Sequence, residues 1–516
     1  MTNTRPHVEV GIGALSFEDV INVARHNATV SISEESLAEI ARSAERVREL
    51  AHHEKPVYGV STGFGALASK HVPLEQRTIL QKSLIRSHAA GSGPEVEREV
   101  IRALMLLRLS TMATGRTGVR PEVAQAYAGM LSAGITPVVF EYGSLGCSGD
   151  LAPLAHCALA IIGEGQVRDA KGNLKDSADA LAEVGLAPVE LAEKEGLALI
   201  NGTDGMLGML VMAITDLDKL VRLADVAAAM SIEGLAGIDR VFAADLHELR
   251  PHPGQIAAAR NIRTILDGSD IIQQHGEEHS NYVQDAYSLR CSPQVAGAVR
   301  DTIEHARSVA LRELASAIDN PAVTKDGRVE SNGNFHGAPV AYVLDFLAIA
   351  VADAASISER RTDRFLDPAR NRGLNSFLAA DPGVDSGHMI AQYTQAAIVS
   401  ELKRLANPAS VDSIPSSAMQ EDHVSMGWSA ARKLRKSVDG LTRVLAIEIL
   451  TAARGIDMRA PQQPAKATGA VIAKLRETVQ GPGPDRYLAP EINETVNLVA
   501  SGALLEAVEE AIGALD

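Results

Sequence analysis

Apolar residues recur at helical spacing along most of this chain. Between residues 37 and 50, every third or fourth position is apolar, and glutamate and arginine fill the other face. Ser31 and Glu34 have the spacing of a capping box, so this helix is expected to begin between residues 31 and 33. The same spacing predicts helices over residues 76–89, 206–230, 293–317, 340–359, 386–405 and 428–455, and a helical hairpin after the glycine- and proline-rich break at 481–485.

Composition favours helices over sheets. Alternating β-branched runs are few and short, aromatic residues make up 3% of the chain, and alanine is abundant. We therefore predict a mainly α protein with a long central helical bundle and a smaller mixed N-terminal region. Residues 1–115 are expected to form that N-terminal region, and residues 116–516 the helical body. Sustained heptads with charged flanks, which a coiled-coil scaffold would need, do not occur in the sequence.

Charge and cysteine content restrict the class of protein further. A net charge of −16 disfavours nucleic acid and anionic membranes as partners. The three cysteines lack CxxC spacing, which indicates neither a disulfide framework nor a zinc site, and no metal is expected. The N-terminus lacks the pattern of a signal peptide, and the apolar run at 205–215 ends well before the ~18 residues of a membrane span. A cytoplasmic location is expected.

The stretch GSLGCSGDLAPLAH, residues 143–156, carries the most informative chemistry. Glycine allows close backbone approach, so the Gly149 nitrogen can attack the Cys147 carbonyl carbon. Loss of one water then gives an imidazolone ring, and loss of a second from Ser148 leaves an exocyclic methylene. Ordinary side chains include no strong electrophile, so this group would supply chemistry that otherwise needs a cofactor.

Eight motifs in order resemble those of the aromatic amino acid ammonia-lyases. They are YGVSTGFG, SHAAGSG, GSLGCSGDLAPLAH, EGLALINGTDG, QDAYSLRC, DNPAV, GNFHGAPVA and SVDSIPSSAMQEDHVSMG, between about residues 58 and 426. The prosthetic group of that family is 4-methylidene-imidazol-5-one (MIO). The family triad usually begins with alanine, and Cys147 is compatible because its side chain stays outside the ring. The resemblance implies a helical bundle of the ammonia-lyase (fumarase/aspartase-like) type, no external cofactor, and a homotetramer whose sites are shared between subunits.

The resemblance also assigns the reacting groups. Tyr58 matches the tyrosine that removes a β-proton from substrate, and Asn201 matches the asparagine that hydrogen-bonds the MIO carbonyl oxygen. Such an amide would stabilise negative charge as electrons enter the conjugated ring. The catalytic set expected from the resemblance is Tyr58, Cys147, Ser148, Gly149, Asn201, Tyr287 and Arg290.

A second motif, QDAYSLRC, would bind the amino acid portion of the substrate. Arg290 presents a planar fork suited to a carboxylate, and the resemblance assigns it that role. Tyr287 lies three residues earlier, so the two share a face if the segment is helical. By resemblance Tyr287 lies against the MIO and assists proton transfer, Gln284 hydrogen-bonds within the site, and Phe335 packs beside the substrate.

Two positions discriminate between histidine, phenylalanine and tyrosine as substrate. Ser87-His88 stands where phenylalanine-acting relatives carry Phe-Leu and tyrosine-acting ones carry His-Leu, and Glu421 stands where both usually carry glutamine. A carboxylate and an imidazole suit an imidazole ring but would be left unpaired beside a bare phenyl. We therefore expect non-oxidative deamination of L-histidine to trans-urocanate and ammonia. Whether the substrate amine or its ring attacks the MIO stays open.

Two other readings of the chain stay open. One is a phenylalanine or tyrosine ammonia-lyase or an aminomutase of the same family, and the other is a non-catalytic paralogue. Asp204, Met419 and the segment 381–392 depart from common family patterns, which suggests a divergent subgroup. The triad, Tyr58 and Arg290 are intact, which favours an active enzyme.

Overall fold

The computed structural model describes residues 5–52, 57–63, 65–67, 69–278 and 283–516. Most of these residues lie in helices, which confirms the predicted mainly α fold. The Cα positions cluster into two compact units. Unit 1 comprises residues 1–212, 307–345 and 408–432, and unit 2 comprises residues 213–306, 346–407 and 433–516. The predicted boundary between the N-terminal region, residues 1–115, and the helical body, residues 116–516, stays a prediction.

Unit 1 holds the shorter helices of the first half of the chain and all strands of the described residues. Its helices are Phe17–Ala24, Glu34–Ala51, Arg77–His88, Arg98–Ala113, Pro121–Ala133, Leu151–Ile161, Ser177–Glu183 and Glu195–Ala198. Single 3-10 turns lie at Gly65–Leu67, Leu74–Gln76 and Ser417–Met419.

The strands form four small sheets. His7–Val10 pairs in parallel with Thr29–Ile32, with His7 opposite Thr29 and Val10 opposite Ile32. The remaining pairs are antiparallel: Ser92–Glu95 with Phe140–Tyr142, Thr136–Pro137 with Gln166–Arg168, Gln166–Arg168 with Leu174–Asp176, and Ala322–Val323 with Val329–Glu330. Small strands were expected in the mixed N-terminal region, and several further strands lie beyond residue 115.

Four long helices have ranges that extend from one unit into the other. They are Asp204–Gly234, Ser292–Leu314, Ala338–Leu366 and Gly427–Asp457. Each was predicted, and the structure lengthens three of them by a few residues at one or both ends. In Asp204–Gly234 the apolar side chains of Met209, Leu210 and Val211 are all completely buried. Residues 204–214 are buried on every face, which places this first part of the helix in the core of the protein.

Unit 2 contains the remaining helices. They are Ala244–Glu248, Pro253–Leu266, Asp270–Glu278, Tyr287–Arg290, Met389–Leu405, Lys466–Arg476, Ala489–Ser501 and Ala503–Ile512, with 3-10 turns at Arg240–Phe242 and Ser376–Leu378. The last two α-helices are the predicted C-terminal hairpin.

The predicted capping box at Ser31 is wrong. Ser31 lies in a strand opposite Glu9, and the helix Glu34–Ala51 is capped by Ser33, whose side chain accepts a hydrogen bond from the Ser36 N–H at 3.2 Å. Pairing with a strand more than twenty residues away therefore decides which serine caps the helix.

One described helix, Ala338–Leu366, is long and apolar enough to cross a membrane by length and composition. In its most apolar stretch, 61% of the residues are buried inside the protein. Such burial is typical of a core helix.

Candidate active site

The Cys147-Ser148-Gly149 triad lies in a tight backbone turn of unit 1. Gly146 and Gly149 have φ angles of 69° and 78°, which residues with a Cβ rarely adopt. Backbone bridges join Gly149 to Gly146, to Cys147 and to Gly202. A Cβ at position 149 would lie only 1.9 Å from the Gly202 carbonyl oxygen. Both φ and space therefore require glycine here, and the turn folds back on itself as the predicted cyclisation needs.

Asp150 fastens this turn to the beginning of a long helix. Its N–H donates to the Gly202 carbonyl at 2.7 Å. Its carboxyl accepts hydrogen bonds from the Met206 N–H at 2.9 Å and from the Ser144 hydroxyl at 3.1 Å. Complete burial raises the pKa of Asp150 to about 7. One buried carboxyl thus holds the segments on both sides of the triad.

Asn201 is buried beside the triad, because its neighbour Gly202 bridges Gly149. The Asn201 side-chain amide donates to the Asn320 carbonyl at 2.8 Å. An amide nitrogen carries two hydrogens, so a second donor is present for a ligand oxygen. The Asn201 carbonyl accepts a hydrogen bond from Arg108. Arg108 is completely buried and also pairs with Asp204 at 3.2 Å.

Tyr58 lies in a turn that packs against the same segments. Its hydroxyl oxygen accepts a hydrogen bond from the Gly65 N–H at 3.2 Å. The next residue, Gly59, has a φ of 72°, and a Cβ there would lie 2.8 Å from Leu197 and 3.2 Å from Pro321. The turn of Tyr58 therefore packs against the side chains of Leu197, four residues before Asn201, and Pro321.

Glu421 is electrostatically close to both the triad and His88. Burial raises the pKa of the Cys147 thiol to about 12, and the Glu421 carboxylate contributes to that rise. Burial lowers the pKa of His88, whereas the Leu84 carbonyl and Glu421 oppose that shift. The Nδ1 of His88 lies 3.0 Å from the Ser87 hydroxyl, and Glu421 accepts from the Ser416 hydroxyl at 3.1 Å. The two residues predicted to set specificity are therefore within electrostatic range of each other.

Two further loops of unit 1 border the triad. The Ser425 hydroxyl donates to the Gly146 carbonyl at 3.2 Å. A Cβ at Gly337 would lie 3.0 Å from that same hydroxyl, so the loop that carries the half-buried Phe335 is adjacent. The rings of His336 and His423 stack with their centroids 5.7 Å apart and their planes 4° from parallel. This stacking joins the loop of Phe335 to the loop of Glu421.

The residues expected to bind the substrate carboxylate lie in unit 2. Tyr287–Arg290 is a single helical turn, and the Arg290 guanidinium carbon lies 4.7 Å from the centroid of the Tyr287 ring. Their predicted shared face is therefore confirmed. Gln284 is exposed and Tyr287 is 70% exposed. The buried Nε of Arg290 has no hydrogen-bond partner in the part of the chain that the structure describes.

The structure therefore forms two groups from the predicted site residues. Unit 1 contains Tyr58, His88, Cys147, Ser148, Gly149, Asn201, Phe335 and Glu421, and unit 2 contains Gln284, Tyr287 and Arg290. Among the described residues, no three His, Cys, Asp or Glu side chains are grouped so that they could hold a metal ion.

Sequence reasoning missed Arg108 and gave Asp150 no role. Arg108 lies within the apolar stretch LMLLRLST of the helix Arg98–Ala113. An isolated charge in such a stretch is a usable signal, because a buried cation must find carbonyl or carboxylate partners.

Comparisons with known proteins show the family to which this chain is similar. Residues 15–477 match the family model described as aromatic amino acid lyase. The chain is 62% identical to a histidine ammonia-lyase of Streptomyces avermitilis over 98% of this chain and 99% of that protein. It is 47% identical to that of Sorangium cellulosum, covering 97% and 99% of the two chains.

Solved structures agree with these matches at the level of the fold. Histidine ammonia-lyase from Trypanosoma cruzi superposes with a TM-score of 0.90 at 38% identity, covering 98% of this chain and 96% of that one. A tyrosine aminomutase from Streptomyces globisporus superposes with a TM-score of 0.93 at 37% identity, covering 99% and 100%. The chain belongs to the aromatic amino acid lyase family.

Proposed function

We propose that this enzyme deaminates L-histidine to trans-urocanate and ammonia, using an MIO group formed from Cys147, Ser148 and Gly149. The observation that carries the substrate assignment is the position of Glu421, close to both Cys147 and His88. A carboxylate and a neutral imidazole can hydrogen-bond the substrate imidazole, whereas a phenyl would leave both unpaired. The high identity to proteins named histidine ammonia-lyase supports the same substrate.

The residues present fit the MIO group. The turn at Gly146–Gly149 has the compact backbone that ring closure needs. The Gly202 backbone approaches Gly149 so closely that a Cβ at position 149 would obstruct the contact. Once formed, the MIO supplies an electrophilic methylene carbon toward the substrate. Asn201 lies beside the triad, so its second amide hydrogen is proposed to stabilise negative charge on the ring oxygen.

Tyr58 is proposed to remove the β-proton of the substrate. The Gly65 N–H, 3.2 Å from the Tyr58 hydroxyl oxygen, would stabilise the negative charge that a phenolic base carries. The packing of Gly59 against Leu197 and Pro321 fixes this turn against the segments that hold Asn201. Tyr58, the proposed base, and the Asn201 amide, which is proposed to stabilise negative charge on the MIO, would therefore keep fixed positions relative to each other.

Arg290 is proposed to bind the substrate carboxylate. Its buried Nε, unpartnered in the described chain, is a donor that a bidentate carboxylate would satisfy. The adjacent Tyr287 is proposed to line the site and assist proton transfer, Gln284 to hydrogen-bond there, and Phe335 to pack beside the substrate.

A homotetramer with shared sites is proposed as the working form, in the cytoplasm. Tyr342, Phe346 and Ile349 are about half-exposed and lie on one face of the helix Ala338–Leu366. Phe346 and Ile349 also line a groove of about 570 Å³ in unit 2. An apolar stripe of this kind is typical of a surface that another subunit covers.

Shared sites can be tested by mixing two impaired variants and assaying them at substrate concentrations well below the parent KM, where both are nearly inactive. If the triad and Arg290 of one site come from different subunits, co-expressed Ser148→Ala and Arg290→Met chains will form some intact sites. Random assembly would then restore roughly a quarter of the parent activity. Mixtures that stay inactive would indicate that each site takes both groups from one chain. Light scattering on the parent protein would measure the number of subunits directly.

The substrate assignment is tested by incubating the purified enzyme separately with L-histidine, L-phenylalanine and L-tyrosine. Ultraviolet absorbance follows the unsaturated acid, and Ser148→Ala is the control. We expect urocanate from histidine alone, and none from the control. Cinnamate or coumarate would instead favour a phenylalanine or tyrosine lyase.

An aminomutase is the second candidate, since a tyrosine aminomutase superposes on 99% of this chain. Chromatography of the same reactions for β-amino acids separates it from a lyase. Absence of every product would favour a non-catalytic paralogue.

A further inference from the structure

Unit 1 contains a second buried ion pair besides Arg108 and Asp204, formed by Lys194 and Asp319. Lys194 and Asp319 are both completely buried in unit 1, and the Lys194 Nζ lies 2.5 Å from a carboxylate oxygen of Asp319. The same ammonium donates to the Thr117 carbonyl at 2.6 Å. Two charges removed from water in this way seldom add net stability compared with apolar residues of similar volume. The Lys194–Asp319 pair is therefore expected to have a role other than stabilising the fold.

Asp319 contacts Asn320, whose carbonyl accepts the hydrogen bond of the Asn201 side chain. Its second carboxylate oxygen accepts the N–H of Asn320 at 2.8 Å. The side-chain oxygen of Asn320 accepts hydrogen bonds from the Ser331 hydroxyl and the Asn332 N–H, both at 3.0 Å. Asn320 is thus held from two sides, and its carbonyl receives the Asn201 amide at 2.8 Å.

Lys194 stands at the other end of the segment that carries Asn201. The Lys194 carbonyl accepts the Ala198 N–H at 2.9 Å, within the short helix Glu195–Ala198. The Asn201 N–H then donates to the Leu197 carbonyl at 3.3 Å. The ion pair, the backbone from 194 to 201, the Asn201–Asn320 hydrogen bond and the Asp319–Asn320 peptide therefore form a closed ring of contacts. This ring connects the ion pair to the Asn201 amide.

The turn of Tyr58 rests on both halves of this ring. Gly59 faces Leu197 from the lysine half and Pro321 from the aspartate half. We infer that Lys194 and Asp319 are positioning residues. They act through Asn320 and Leu197 to hold the Asn201 amide and the Tyr58 turn in the arrangement that the reaction needs. This inference rests on the proposed roles of Asn201 and Tyr58.

The test compares Lys194→Met with the double variant Lys194→Met/Asp319→Asn. The single variant leaves a buried carboxylate unpaired, whereas the double variant removes both charges. The matched control is Arg300→Met, which breaks the ion pair of Arg300 with the buried Asp225, 2.6 Å apart in unit 2. Each purified protein is characterised by its melting temperature, by kcat and KM, and by intact mass. The mass reports MIO formation without activity, since cyclisation removes two waters.

The expected pattern separates positioning from stability. Lys194→Met should lower both the melting temperature and kcat, with kcat falling about 10- to 100-fold and KM changing little. The double variant should regain melting temperature while kcat stays low, and Arg300→Met should lose melting temperature while keeping kcat. Recovery of both quantities in the double variant would overturn the inference, as would a rise in KM at unchanged kcat.

Two further measurements keep the outcome interpretable. If Lys194→Met does not fold, Asp319→Asn tests the same contact, because its side-chain oxygen can still accept the Asn320 N–H. Kinetics are measured with whichever amino acid the parent enzyme turns over. A parent that rejects histidine but accepts another amino acid contradicts the proposed substrate and leaves the positioning test decisive.

Discussion

The two groups of site residues differ in how completely their own unit satisfies them. In unit 1, Asp150 and Asn201 are buried and hydrogen-bonded, and Gly149 fits against Gly202 with no room for a Cβ. In unit 2, Tyr287 is 70% exposed, and the Arg290 Nε lacks a partner among the described residues. The surroundings of the triad are held by contacts within unit 1, whereas the second group presents more exposed surface and a buried donor without a partner among the described residues.

This difference follows the order of the proposed chemistry. Ring closure must occur inside a folded chain before any substrate arrives, so its surroundings have to be formed in advance. A carboxylate-binding arginine must exchange one ligand for another, so an open position suits it. The comparison predicts that changes at the triad abolish the reaction, whereas loss of Arg290 weakens binding.

The largest effect is expected for Gly149→Ala. The added Cβ would meet the Gly202 carbonyl oxygen at 1.9 Å, so ring closure should fail and the intact mass should retain both waters. Activity should fall by about 10³-fold or more. Gly185→Ala is the matched control, since Gly185 has a similar φ of 74° with no atom within 4 Å of the added Cβ. An alanine variant at 149 that still loses two waters would contradict the requirement for glycine.

Arg290→Met should act on binding. Loss of the bidentate carboxylate partner is expected to raise KM by about 10²-fold, with a smaller effect on kcat. Arg290→Lys should recover only part of this loss, because an ammonium lacks the planar fork. Steady-state kinetics measure both, with the exposed Arg404→Met as a control. A fall in kcat at constant KM would show that Arg290 acts on the reacting atoms, and the contrast between the two groups would disappear.

Glu421→Gln tests whether specificity belongs to the first group. Glutamine keeps the shape and removes the charge close to Cys147 and His88. We expect kcat/KM for L-histidine to fall about 10- to 100-fold. The control is Glu401→Gln, on an exposed helix of unit 2. Unchanged kcat/KM for histidine would mean that Glu421 does not read the substrate ring.

Much of the fold could be predicted because helical spacing is a local property of the sequence. The helix predicted over 76–89 is Arg77–His88, and the one over 428–455 is Gly427–Asp457. The helix predicted over 340–359 ends at Leu366 instead. The charges of ERR at 359–361 resemble a solvent-facing end, yet Arg361 pairs with Glu448 inside unit 2 at 2.5 Å. Only the fold brings those two residues together.

The candidate site also has a part that the sequence predicts and a part that it does not. Motif resemblance named the side chains expected to touch substrate, since their types follow from the chemistry. It did not find the Lys194–Asp319 pair or the contacts of Arg108, because their partners lie about 90 to 210 residues away. A sequence motif indicates which group acts, and long-range polar contacts determine how that group is held.

The smallest predicted effect concerns acid stability and contrasts two buried titratable groups. Burial raises the pKa of Asp150 in unit 1 to about 7, whereas burial, aided by the charge of Arg454, lowers the pKa of His388 in unit 2 to about 3. The contribution of Asp150 to stability is present below its unfolded pKa and is lost as pH rises through about 7. His388 has the opposite sign: below its unfolded pKa of about 6.5, only the unfolded chain binds the proton, so stability falls as pH falls.

His388→Asn should therefore reduce the loss of stability on acidification. Between pH 7 and pH 5, the parent is expected to lose about 2 kcal/mol through this histidine, and the variant should not. Asparagine can retain a hydrogen bond to Thr451, whose hydroxyl lies 3.1 Å from the His388 Nδ1. Melting temperatures at the two pH values measure the difference, with the exposed His252→Asn as control. Equal acid sensitivity of parent and variant would assign the loss of stability to other titratable groups.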